Sequence, residues 1–149
     1  MYKLSQSIKM IKLFFYYCRS AEVSENLMLE QAIKARYHAY APYSKFSVGC
    51  CLQSDDGEFF IGANVENAAY PSAQCAEASA LGALITSGAR KITQICVVGT
   101  GDVTCYPCGN CLQKLSEFTC ADTIVHIAKN DSIELTLQFS ELFPNIFKL

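Results

Sequence analysis

From residue 24 onward the chain alternates between two rhythms of apolar and polar positions. Leu29, Ala32, Ile33, Tyr37 and Tyr40 recur at spacings that line one face of a helix. Ser24 is placed to cap its start and Pro42 to end it. Phe46 to Gln53 changes to alternation and predicts a strand. Asp55, Asp56 and Gly57 then predict a turn, and Glu58 to Gly62 returns as the second arm of a hairpin. Asn67 to Gln74, containing Tyr70-Pro71, breaks both rhythms and reads as a loop. Ala76 to Ser87 predicts a helix, closed by Gly88 in the position that favours a left-handed residue.

Ile92 to Gly99 is nearly continuous in apolar residues, the pattern of a central strand buried on both faces. Gly101 to Tyr106 reads as a loop, and a second helix is expected from Cys108 to about Phe118. Ile124 to Ala128 predicts another strand, followed by a turn at Asn130-Asp131. Ile133, Leu135 and Leu137 alternate with Glu134, Thr136 and Gln138, which predicts a last strand with one face to solvent. His126, inside an apolar strand, reads as a structural histidine with its hydrogen bonds satisfied. His38 reads as a surface residue.

The first twenty residues follow neither rhythm. Their apolar run, Met10 to Cys18, is interrupted by Lys12 and leads into Arg19, without the clean apolar core and small-residue cleavage site of a signal peptide. No stretch reaches the roughly 20 apolar residues of a membrane span. Residues 1–20 therefore read as an N-terminal extension, floppy or loosely docked, and 21–149 as one domain. At 149 residues, half of them apolar, the chain can bury a real core. A formal charge of −2 with no basic stripe in the body gives little support for nucleic-acid binding. Nine cysteines would suggest disulfides in a secreted chain. Cys50, Cys51 and Cys96, however, sit in apolar strands where a reduced thiol acts as a small hydrophobe. A reducing cytoplasm is the expected location.

The candidate chemistry lies in two short stretches, Cys75-Ala76-Glu77 and Pro107-Cys108-Gly109-Asn110-Cys111. A lone CxxC is weak evidence, being more often half a structural zinc site or a redox pair. Together the stretches offer three thiolates and one unligated carboxylate. Three protein ligands leave the fourth tetrahedral position open, which distinguishes a catalytic zinc from a structural one. A CxE turn followed by PCxxC is the signature of zinc deaminases, in which the glutamate shuttles protons. Both stretches are expected to open helices, whose positive ends favour anionic groups. Cys105 lies off the motif and reads as a neighbouring free thiol.

With Ala41-Pro42-Tyr43-Ser44-Lys45-Phe46 and Gly62-Ala63-Asn64-Val65-Glu66-Asn67 in the same order and spacing, the chain resembles the cytidine deaminase family from about Ser24 to Phe147. The resemblance implies an α/β fold, a three-layer α/β/α sandwich around a mixed five-stranded sheet. It implies one zinc ion per chain on Cys75, Cys108 and Cys111, with Glu77 as the catalytic acid and base. It implies substrate contacts from Phe46, Asn64, Glu66, Tyr70, Ala76 and Phe147. A free nucleoside, cytidine or deoxycytidine, is the expected substrate, with no organic cofactor. The three-cysteine site is similar to the homotetrameric branch, in which Phe147 matches an aromatic brought to a neighbouring chain's base.

The plainer reading of Phe46, Asn64 and Glu66 is a core ring and an Asn/Glu pair capping a loop. Blasticidin-type deaminases share the CxE and PCxxC motifs, and a zinc-bound scaffold without turnover is the alternative outside catalysis. Against the latter stands Glu77, an acid for which a purely structural site has no use. One departure is visible: Ala78 and Leu112 stand where the family commonly carries arginines.

Overall fold

The computed structural model describes residues 25–149. The extension of residues 1–20 and the Ser24 cap lie outside the described residues. Five strands, β1 (Val48–Ser54), β2 (Phe59–Ala63), β3 (Ile92–Gly99), β4 (Ile124–Lys129) and β5 (Ser132–Gln138), form one sheet in the order β2-β1-β3-β4-β5. All neighbours run antiparallel except β3 and β4, which are parallel. That one parallel pair requires a crossover, supplied by α3 (Gly109–Ser116). A helix at residues 25–36, α1, covers one face of the sheet. The other face is covered by α2 (Ala76–Ser87), by α3 and by the single turn α4 (Phe139–Leu142). This is the expected three-layer α/β/α arrangement.

Each central strand divides its side chains between two cores. Cys51, Cys96, Val98 and Ala128 pack with Met28, Leu29 and Ala32 of α1, while Cys50, Leu52, Ile95, Val97, Val125 and Ile127 pack with Ala80 and Leu84 of α2 and with Leu115 and Phe139. The apolar run of β3 is thus buried from both sides, as its composition predicts. Two glycines let the helices approach. A Cβ on Gly49 would lie 1.9 Å from the carbonyl oxygen of Ala32 in α1. On the opposite face, one on Gly62 would lie 2.2 Å from the backbone nitrogen of Ala80 and 2.4 Å from the carbonyl oxygen of Ala76 in α2.

Two expectations need correction. The first helix stops at residue 36, short of Tyr40 and Pro42. Tyr40 is drawn into an isolated bridge with Val65, its N–H donating to Asn64 O at 3.0 Å and its carbonyl accepting from Glu66 N at 2.8 Å. That pairing needs extended backbone and overrides the helical spacing. In β5 the register shifts between Ile127 and Ala128, which face Leu135 and Ile133, so Glu134 is an extra residue. Ile133 therefore packs against the α1 core, and Leu135 and Leu137 do not share its face.

Candidate active site

The two CxE and CxxC stretches meet because each opens a helix on the same face of the sheet. Cys75 is the N-cap of α2 and Cys108 the N-cap of α3, both extended in backbone, and neither side chain makes a capping hydrogen bond. Cys111 lies in the first turn of α3 and is buried. The three Sγ atoms lie within 4.8 Å of one another, with Cys75 and Cys108 at 3.9 Å. Burial opposes ionisation of Cys108, but the N–H groups of Cys111 and Asn110, with the Cys111 and Cys75 thiols, hold it below the ordinary thiol value. Cys75 and Cys111 are pushed up, first by burial and then by the acidic groups crowded beside them.

Glu77, in the first turn of α2, is only 4% exposed. Burial raises its carboxyl above the usual range, offset in part by its own backbone N–H and the Cys111 thiol. Three thiols and a buried acid gathered in this way are a donor set that a divalent cation relieves. Sulfur donors in threes, beside a carboxylate that need not ligate, fit zinc with one position open.

Cys75, Cys108 and Glu77 line a cavity of about 270 Å³, whose walls also include Asn64, Glu66, Ala76, Cys105 and Tyr106. Its size is close to the lower end of ordinary ligand pockets, about 300 Å³. Asn64 and Glu66 also hold the loop before β1. Asn64 accepts from Val48 N at 2.8 Å and donates to Phe46 O at 3.0 Å. Glu66 Oε2 accepts from Tyr43 N at 2.8 Å and Ser44 N at 3.2 Å. The Ser44 hydroxyl, followed by these amides and Lys45, keeps the Glu66 carboxyl below its usual value. The loop-capping reading of this pair is therefore correct as far as it goes, and both side chains still face the cavity.

The other expected contacts are more scattered. Phe46 lies against Gly99 and Cys105. Tyr70, in a single 3-10 turn, stacks edge-on against Tyr43 at 6.3 Å. Both tyrosines border a second cavity of about 360 Å³ that shares Glu66 and Ala73 with the first. Phe147 borders neither; it is 67% exposed and its carbonyl accepts from Gln113 Nε2 at 3.1 Å. Tyr106 was not anticipated, and its only signal was its place directly before Pro107. His126 is remote from the site. Gln94 Nε2 donates to Gln53, so Gln94 Oε1 accepts from His126 Nε2 at 3.0 Å, and Nδ1 is left to accept from Thr136 Oγ1 at 3.0 Å.

Comparison with known proteins points the same way as the geometry. The family model described as the cytidine and deoxycytidylate deaminase zinc-binding region matches residues 22–127. A cytidine deaminase of Halalkalibacterium halodurans is 39% identical over 127 residues, covering 84% of this chain and 95% of that protein. The crystal structure of cytidine deaminase from Burkholderia pseudomallei superposes with a TM-score of 0.76 at 36% identity, over 81% of this chain and 97% of that one. The enzyme from Mycobacterium tuberculosis gives a TM-score of 0.74 at 31% identity, over 83% and 97%.

Proposed function

The chain belongs to the cytidine and deoxycytidylate deaminase family, and from that premise we propose that it hydrolyses cytidine and deoxycytidine to uridine and deoxyuridine, releasing ammonia. The observation that carries this reading is Glu77, buried beside three convergent thiols at a cavity that also holds Asn64 and Glu66. Zinc held by Cys75, Cys108 and Cys111 supplies Lewis acidity, which makes water an effective nucleophile near neutral pH. Glu77 takes the proton of the attacking water and delivers it to N3 of the pyrimidine as the C4–O bond forms. It then takes the second proton, from the new C4 hydroxyl, and passes it to the departing amine as the C4–N bond breaks and the C4 carbonyl forms. Burial suits the carboxyl to this work, because it is shielded from bulk water and the protons it takes pass to the substrate.

Asn64 and Glu66 bind the ribose hydroxyls, and Ala76 borders the base. Glu66 has one oxygen engaged by the 43–44 backbone, which fixes the carboxylate for the sugar. Incubating the purified chain with cytidine tests the reading directly. Stoichiometric ammonia and uridine are expected, and zinc-loaded protein that releases neither overturns it.

The assembly we propose is a homotetramer in which Phe147 of a neighbouring chain completes the site. Its support is the position of Phe147, apolar, exposed and away from its own chain's cavity. Light scattering should give four chains, and deleting Phe147 to Leu149 should raise KM for cytidine; a fully active monomer would refute the shared site. We place the enzyme in the cytoplasm, in pyrimidine salvage. Eight unpaired thiols among the described residues support a reducing compartment.

A further inference from the structure

We propose that Arg36 is a positioning residue of the active site, acting through the carbonyl of Gly99, which lies behind Cys105 of the substrate-cavity wall. Arg36 ends α1 and is the one buried Lys or Arg among the described residues. Its Nη1 donates to Gly99 O at 2.9 Å in the interior, and its Nη2 donates to Asp131 Oδ1 at 2.7 Å. Gly99 ends β3, and from it the chain leaves for the loop that delivers Cys105, Tyr106 and Cys108.

Gly99 is packed closely by site residues. A Cβ added there would stand 2.6 Å from Phe46 Cζ and 2.9 Å from Cys105 Cβ. Phe46 and Cys105 therefore rest on the Gly99 backbone, and Cys105 is part of the cavity wall. The next residue is fixed as well: Ser47 N donates to Thr100 Oγ1 at 3.0 Å and Thr100 N to Ser47 O at 2.9 Å.

The far side of the loop returns to the same anchor. Asp102 accepts from Lys129 Nζ and Asn130 Nδ2, both at 3.0 Å, in the turn that carries Asp131. Arg36, the β4–β5 turn and Asp102 thus close a ring of contacts around the root of the site loop. Only a forked cation can serve this ring from behind, because a carbonyl and a carboxylate must be reached at once. A lysine has a single donor centre. In its place the Gly99 carbonyl or Asp131 loses its partner, and the platform under Phe46 and Cys105 is free to move. Geometric error of this kind is read in binding before chemistry, because Glu77 and Cys111 lie within α2 and α3 and Cys75 and Cys108 are fixed at their starts.

This inference rests on the nucleoside reading of the cavity, and the experiment separates the two. Zinc-loaded full-length Arg36→Lys, Arg36→Met and Gly99→Ala are compared with wild type for zinc content, thermal midpoint, KM and kcat on cytidine. For Arg36→Lys a KM increase of roughly tenfold is expected, with kcat within about twofold and zinc unchanged. Gly99→Ala, which pushes Phe46 and Cys105 from the other side, should show the same split. An unchanged KM in folded Arg36→Lys overturns the proposal, as does a loss confined to kcat. Wild type inactive on cytidine would fail the nucleoside reading alone. Positioning is then read from alkylation of Cys105 by iodoacetamide, located by mass spectrometry. Several-fold faster labelling in Arg36→Lys supports it and an equal rate overturns it.

Discussion

Glu77 combines two properties that rarely occur together in a first-turn glutamate: it is almost fully buried, and its carboxyl is pushed upward in pKa. Replacing it with Gln keeps the shape and removes the proton carrier. Glu77→Gln is expected to retain the fold and one zinc per chain while turnover falls by at least ~10² to 10⁴-fold, the worth of general acid–base catalysis. Ammonia release and elemental analysis of the same sample check both halves, and activity within a few-fold of wild type would mean the proton carrier is another group.

His126 shows the opposite case, a titratable group whose role is structural. Burial lowers its pKa, and Glu25 offsets this only in part. The unfolded chain therefore binds a proton more readily than the folded one as pH falls below 6.5, the ordinary value for histidine. Its stabilising share is complete above that pH and is lost as pH falls from there through the folded value. Between pH 7.5 and 5.5 the urea midpoint should drop more in wild type than in His126→Gln, which keeps the hydrogen-bonding span without the titration. Equal drops would show that the imidazole is not the sensor.

At the scale of elements, Gly49 and Gly62 make a paired test. An alanine at either position collides with helix backbone, at 1.9 Å from Ala32 O or 2.2 Å from Ala80 N, so each should cost about 1–3 kcal/mol. They differ in which helix must yield. Gly62→Ala displaces α2 beside Cys75 and Glu77, and should speed zinc loss to a chelator. Gly49→Ala displaces α1 on the other face, and should not. Gly82, in α2 with nothing within 4 Å of an added Cβ, is the control: alanine there should stabilise by about 0.5–1 kcal/mol.

The legibility of these elements follows the same physics. The α2 and β3 boundaries could be read directly, because Gly88 adopts φ 102° at the helix end and β3 is apolar on both faces. The end of α1 could not be read, since a bridge to Val65, 25 residues away in sequence, decides it. The bulge at Glu134 was hidden in a clean alternation, because register belongs to the pair of strands and not to either one. In the site, CxE and PCxxC carry their own spacing and were legible in full. Tyr106 and the second duty of Asn64 and Glu66 depend on which loops come together, and no local pattern records that.

For the whole molecule, charge is unevenly distributed along the chain. Residues 1–20 hold four of the twelve Lys and Arg and none of the fourteen Asp and Glu. Among the described residues the cavity is lined, in contrast, by positions between Val48 and Cys108, with Cys111 as the third thiol. Deleting Met1 to Ser20 is therefore expected to leave kcat/KM on cytidine within about twofold, since every described residue of the cavity lies downstream of it. A truncated protein that no longer assembles or turns over would assign the extension an essential contact.

The two N-cap cysteines carry a last consequence. In most helices a capping oxygen satisfies the first free N–H groups, but α2 and α3 have thiols, Cys75 and Cys108, at that position, and the Cys108 sulfur is the one that the N–H groups of Asn110 and Cys111 favour. Their sulfurs converge with Cys111 instead, so the ion that joins them also ties down the starts of two helices. Chelation should raise amide exchange at residues 76–79 and 109–112 by roughly tenfold or more while β3 stays protected; equal protection with and without metal would sink the idea. A copy of the chain that has missed its metal would then be open at two neighbouring helix starts. A protease could read that difference before any nucleoside is offered, and metal loading would decide which copies of the protein persist.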